Sequence, residues 1–307
     1  MSDEAHPPVA SLAPELPVST PWGYVTRRFR LLAHDFAIRT NHAGLARYLD
    51  EVFAPAAVPG APTTPTTWYS IVTGLPGERA DALLIDEDRV LHTDQPHYIL
   101  KHLMWHINQQ AIRKSLSTHV LVHAAVAARD GVGIVMPAPQ EAGKTTLVAG
   151  LVSAGFGYLS DEAAAIHPES LEIAPFPKPL SVDKGSWEVL AGAEPQLDET
   201  TRQYVTKQWQ ASPLSLRHGS VSGPVPAGLL ILPTYRAGAA TTLEPVRAVD
   251  ALVATLSQTF YFHRAAQRNL EVLARLLATV HCYRLTVGDL AVACEAVDGA
   301  CRRHGRS

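Results

Sequence analysis

Residues 138–145 read APQEAGKT, with Thr146 next in the chain. A loop of this kind can hold a polyphosphate. The chemistry asks for backbone amides turned inward on the anion, a helix start with its partial positive charge, and a lysine that reaches the outer phosphates. Gly143, Lys144 and the helical pattern beyond them supply these parts. The phosphate-loop pattern is G-x-x-x-x-G-K-[ST], and Ala138 stands where that pattern has glycine. Thr145 would place its hydroxyl on magnesium, and Thr146 a second hydroxyl near the α-phosphate. The residues expected to take ATP with Mg2+ are therefore Ala138, Gln140, Glu141, Ala142, Gly143, Lys144, Thr145 and Thr146. A Gly-Lys-Thr tripeptide is short enough to arise by chance. Here it follows an apolar strand and opens a helix with Leu147 and Leu151, the context that a phosphate loop requires.

About 15 residues beyond Lys144, Asp161 and Glu162 close a short strand around Tyr158 and Leu159. A parallel crossover would set both acids beside the phosphates, at the strand's C-terminal end. One carboxylate can then join Thr145 as a magnesium ligand while its neighbour accepts the proton of an attacking hydroxyl. The plainer alternative is an N-cap pair opening a helix. His123 lies in LVHAAVA, on the same face as Leu121 and Ala125, where a satisfied core histidine is the default. Arg236, just past LLILP, and Arg217, in SLRHG, are the cations available to steady transferring charge; surface exposure is the competing reading for both.

The elements that must position these groups are legible by periodicity. Residues 1–20 are rich in Pro, Ala and Ser and read as an arm without a core of its own. A strand-like stretch, Arg27–Ile38, precedes a helix from Ala43 to Phe53 with Leu45, Leu49 and Phe53 on one face. A Pro/Thr-rich connection leads to two paired strands, Trp68–Val72 and Ala82–Ile85, and then to an amphipathic helix, His97–Ser115. Together, 21–117 form a smaller α+β domain. In 118–307, Val120–Ala128 and Gly133–Met136 flank the turn dipeptide Asp130-Gly131 as a hairpin that delivers the chain to the loop. The helix from Lys144 to about Ala154 stops at Gly155. Leu229–Leu232 and Tyr283–Val287 read as strands, Val249–Leu256 and Ala265–Ala278 as helices, and a helix closes the chain.

With 307 residues and 47% apolar content, the chain can bury one large core or two modest ones. A net charge of -3 offers no field for nucleic acid or an anionic membrane. The three cysteines, Cys282, Cys294 and Cys301, form neither a zinc spacing nor a disulfide framework. No basic-then-apolar leader and no apolar run of spanning length is visible, so the expected compartment is the cytoplasm.

The run HAAVAARDGVGIVMPAPQEAGKTTLVAGLVSAGFGYLSDEAAAI, 123–166, resembles the catalytic core of HPr kinase/phosphorylase and its relatives. The order of parts carries the resemblance: a histidine opening a hairpin, a phosphate loop, a helix ending at a glycine turn, and a strand ending in adjacent acids. PFPKPLSV, 175–182, is similar to the relatives' proline-rich stretch. The resemblance implies an α/β P-loop kinase core of the HPr kinase C-terminal type. It implies that Lys144 and Thr145 hold ATP and magnesium, that Asp161 is the general base, that Glu162 replaces a second aspartate, and that His123 lines the site. Ala138, Gln140 and Glu141 depart from the family's Gly, Ser and Gly, and no basic substrate loop stands out. The acceptor implied is then a Ser/Thr hydroxyl of a peptide or protein, such as a natural-product precursor, with a small molecule next, read by residues 20–115; the relatives' oligomers imply a homo-oligomer. An ATP-binding scaffold without transfer and an ATPase are the rival functions.

Overall fold

The computed structural model describes residues 22–59, 65–74 and 80–304. The arm expected at 1–20 lies outside the described residues. The protein is a mixed α/β chain with three sheets, and it divides into two compact units. The first comprises residues up to Arg30, His34–Gln110 and Gln196–Gln208; the second comprises Leu31–Ala33, Ala111–Pro195 and the chain from Trp209 onward. Among the described residues no helix is long and apolar enough to cross a membrane.

The first unit is built on a six-stranded sheet, with strands β1 (Tyr24–Val25), β2 (Phe29–Leu31), β3 (His34–Thr40), then helix α1 (Ala43–Val52), then β4 (Thr67–Val72), β5 (Asp81–Ile85) and β6 (Asp88–Thr93). The order is β1-β3-β4-β5-β6, with β2 on β3. β4 and β5 pair with each other, as read from the sequence, in antiparallel register, and β3 and β4 run parallel around the α1 crossover. Leu45, Leu49 and Phe53 are all buried, so the helical face read from their spacing is the core face. Helix α2 (Pro96–Ser115) follows, and the unit boundary falls inside it, after Gln110.

The sequence division at 117/118 assigns everything after it to one domain, yet 196–208, with the short helix α4 (Glu199–Arg202), belongs to the first unit. The physical reason is a buried polar contact: Tyr204 donates its hydroxyl to Asp81 Oδ2 at 2.6 Å, and both residues are buried. No local pattern announces that bond.

The second unit holds an eight-stranded sheet. Its first parts are β7 (Val120–Arg129) and β8 (Val132–Pro137), a hairpin across Asp130-Gly131, followed by helix α3 (Lys144–Ser153), β9 (Gly157–Ser160), β10 (Ala163–Ile166) and β11 (Glu172–Ala174). β12 (Leu180–Asp183) and β13 (Gln208–Ala211) make a separate two-stranded sheet; a short helix α5 (Pro213–Leu216) leads to β14 (Val225–Tyr235). β15 (Thr242–Pro245), α6 (Ala248–Ser257), α7 (Ala266–Leu277), β16 (His281–Val287) and α8 (Leu290–His304) complete the chain. The sheet order is β11-β10-β7-β8-β14-β16-β15, with β9 also on β7.

β7 is the organising strand. Its first half pairs with β10, while its second half lies between β8 and β9, antiparallel to both. β8 and β9 are therefore parallel to each other with β7 between them, and α3 makes the crossover. Val120, Val122, Ala124 and Val126 pack with Val272, Leu273 and Leu276 of α7 in one buried cluster. That cluster leaves the odd-numbered face of β7, which carries His123, for α3. β8, β14 and β16 are also parallel, so their C-terminal ends lie at one side of the sheet. β11 pairs with β14 as well, so part of the sheet closes on itself, and the chain leaves β8 toward the glycine-lysine loop at this C-terminal side.

Candidate functional site

Everything singled out at the glycine-lysine loop converges at that side. The chain leaves β8 at Pro137, turns at Gln140 and Glu141, and starts α3 from Gly143, whose φ of 85° is the left-handed region that glycine tolerates. An added Cβ there would also meet Tyr235 Cβ, at the end of β14, at 3.4 Å. The first intrahelical bond runs from Leu147 N–H to Gly143 O, 2.9 Å. The amides of Lys144, Thr145 and Thr146 thus start a helix without intrahelical acceptors. At its other end α3 closes in a Schellman arrangement: Phe156 N–H donates to Leu151 O at 3.0 Å and Gly155 N–H to Val152 O at 3.0 Å. Leu147, Val148, Leu151 and Val152 are buried, which anchors the helix to the sheet.

Lys144 is buried and folds back on its own loop, donating to Ala138 O at 2.8 Å and Pro139 O at 2.7 Å. Burial lowers its pKa from 10.5 to about 8, against the pull of Glu162 and Asp161. Glu141 is exposed, with a φ of 64°. The negative charge that Glu141 adds to the loop therefore sits in solvent.

The acidic pair closes β9, and a strand, β10, follows it. The helix that an N-cap pair would open does not form. Instead Ser160 Oγ accepts from the amides of Glu162 and Ala163, both at 3.0 Å, and turns the chain. Thr145 Oγ1 donates to Asp161 Oδ2 at 3.3 Å, which places the loop hydroxyl and the strand-end carboxylate together. The Ser181 amide donates to the same oxygen at 3.3 Å. At Oδ1, the Tyr158 hydroxyl lies 3.0 Å away and Lys178 Nζ 2.7 Å away. The side chains of Asp161 and Lys178 are 2% and 3% exposed, a fully buried ion pair. Burial, with the Asp161 carboxylate beside it, raises the Tyr158 pKa well above its usual value, so the phenol stays a donor.

Glu162 is half-buried, and burial raises its pKa although Lys178 and Lys144 oppose the rise. His123 stands on the neighbouring strand opposite Ala163. Its pKa falls to about 4, first by burial and then by the Lys144 ammonium, so the ring is neutral at physiological pH. Its side chain hydrogen-bonds Gln258, as a satisfied core histidine does. Its ring stands 5.7 Å from Phe260, and its backbone amide donates to Gln258 O at 2.8 Å.

Arg217 does not steady charge at this site. Its guanidinium donates to Val152 O at 3.2 Å and Phe156 O at 2.7 Å, capping the end of α3 away from the loop. Arg236 directly follows Tyr235 at the exposed end of β14, and its amide donates to Val287 O at 2.9 Å.

Lys178 is the residue missed from the site. Its signal was present: a lone charge among Phe176, Pro177, Pro179 and Leu180, where an unpaired ammonium is expensive to bury and implies a partner. Among the described residues no group of three or more His, Cys, Asp or Glu side chains is placed to hold a metal. The oxygen pair on Thr145 and Asp161 suits a hard cation that takes its remaining ligands from phosphate and water. No protein-family model matches the chain, and no curated protein matches it.

Proposed function

We propose that the second unit is a P-loop kinase core that binds ATP with magnesium and transfers the γ-phosphoryl group to a hydroxyl, with a peptide or protein Ser/Thr as the acceptor class. The observation that carries the reading is the meeting of Thr145 Oγ1 and Asp161 Oδ2, 3.3 Å apart, where the chain leaves β8 and starts α3. Chance Gly-Lys-Thr sequences have no reason to sit at the C-terminal edge of parallel strands beside an acid 16 residues away.

Within this reading Lys144 leaves the carbonyls of Ala138 and Pro139 for the β- and γ-phosphates, and the free amides of the helix start hold the rest of the chain of phosphates. Thr145 and Asp161 would hold magnesium, which neutralises charge on the phosphates. The two acids divide the remaining work differently from the family's pattern. A carboxylate has about four lone-pair positions. Tyr158, Lys178, Thr145 and Ser181 already approach the oxygens of Asp161. The Lys178 ammonium at Oδ1, together with a magnesium ion that would replace the long Thr145 and Ser181 contacts at Oδ2, would hold Asp161 ionised and make it a poor acceptor of the hydroxyl proton. Glu162, half-buried with a raised pKa, is the better base. The acceptor oxygen forms its bond to the γ-phosphorus, the bond to the β–γ bridging oxygen breaks, ADP leaves, and the hydroxyl proton passes to Glu162. Positioning and charge neutralisation supply most of the rate.

The test is calorimetric titration with a non-hydrolysable ATP analogue, with and without magnesium, on wild type and Lys144→Ala. Magnesium-dependent binding that the variant loses is the expected result; its absence from wild type would overturn the reading. Binding followed by no transfer to any hydroxyl would make the protein an ATP-binding scaffold, which the departures at Ala138, Gln140 and Glu141 favour.

A further inference from the structure

The loop reading orients the nucleotide. Lys144 and Asp161 mark the γ end, and Thr146 marks the α end, from which the nucleoside must hang. Thr146 Oγ1 lies 2.6 Å from Ser186 Oγ, so the α end is tied to the short 3-10 turn Lys184–Ser186. The next residue is Trp187. Its indole stacks on Trp209 of β13 with ring centroids 4.5 Å apart and planes 1° from parallel. Trp187 Nε1 donates to Val182 O at 2.9 Å, which fixes the ring's rotation. Trp209 is buried and Trp187 half-buried, and the turn beside it is open: Lys184 and Gly185 are exposed, and nothing lies within 4 Å of where a Gly185 Cβ would be. The Lys184 ammonium stands 5.4 Å from the Trp187 ring centroid, an exposed cation over an aromatic surface.

We infer that Trp187, braced from behind by Trp209, is the platform on which the base of the bound nucleotide stacks, with Lys184 moving aside to admit it. The inference rests on the P-loop reading and deepens it by assigning the base subsite. Its logic is one of partners. An indole fixed by a hydrogen bond, backed by a second indole and half-buried one residue beyond Ser186 is a rigid flat surface next to the α end. A planar base gains from stacking on such a surface without any edge contact.

The experiment compares magnesium-dependent binding of a non-hydrolysable ATP analogue and of inorganic tripolyphosphate to the full chain, in wild type, Trp187→Ala and Trp187→Tyr. Wild type is expected to bind the ATP analogue at least about ten-fold tighter than tripolyphosphate. Trp187→Ala should erase that advantage while leaving tripolyphosphate affinity unchanged, and Trp187→Tyr should restore most of it. An ATP advantage that survives Trp187→Ala overturns the inference. Equal losses for both ligands overturn it too, since Trp187 would then support the loop and not the base. Wild type binding tripolyphosphate as tightly as the ATP analogue defeats the base subsite alone; wild type binding neither defeats the P-loop reading with it.

Discussion

Lys144 is a residue the fold tolerates at a cost, and the Lys144→Met substitution should make that cost measurable. Only 6% of the lysine is exposed, and burial takes its pKa from 10.5 to about 8. A lowering of that size corresponds to about 3 kcal/mol of folding free energy withheld at neutral pH. The two hydrogen bonds to Ala138 O and Pro139 O return about 1–2 kcal/mol. Methionine keeps the apolar stem and removes the charge, so without ligand the variant should be about 1–2 kcal/mol more stable than wild type, a rise in Tm of about 2–8 °C. The pH dependence fixes the cause. Below pH 8 the ammonium is charged in folded and unfolded chains alike, and the penalty is complete. Between about 8 and 10.5 the folded lysine is neutral while the unfolded one still binds its proton, so wild type gains stability and the gap to the variant closes. Thermal unfolding at pH 7 and pH 10 reads both effects. Adding magnesium and the ATP analogue at pH 7 should raise wild type alone, by mass action. A methionine variant no more stable than wild type at pH 7, or a gap unchanged at pH 10, would refute the reasoning.

Two further substitutions test the loop and its support. Glu141→Gly removes a non-glycine residue from a φ of 64° and a negative charge from the loop; it should stabilise the chain by about 1 kcal/mol and tighten ATP-analogue binding, seen by thermal unfolding and titration. Lys178→Met leaves the Asp161 carboxylate buried without its cation and should cost about 3–5 kcal/mol, much of it recovered when Asp161→Asn is added; a single variant as stable as wild type would show the pair to be dispensable.

What was legible in the sequence depended on how far apart the partners lie. Helix α1 followed from Leu45, Leu49 and Phe53, the hairpin from Asp130-Gly131 between apolar runs, and α3 from Gly143 to Gly155, because each signal is contained within one element. The convergence of Thr145 and Asp161 was legible for a related reason: a single crossover connects them. Lys178 and the Trp187–Trp209 stack were not, since each gains its meaning from a residue about 20 positions away on another element. The strands β10 and β11 were missed because they are short, and β6 because DRVLHT mixes polar and apolar residues without a clean alternation. The capping role of Arg217 was not legible because SLRHG says nothing about the distant carbonyls that it caps.

The return of residues 196–208 to the first unit has a consequence for synthesis on the ribosome. Tyr204 cannot meet Asp81 until the phosphate loop, α3 and the acidic turn have all been made, several seconds later at about 5–20 residues per second. Until then Asp81 lacks its buried partner and the nascent first unit stays incomplete, so the order of translation ties the maturation of one unit to the emergence of the other.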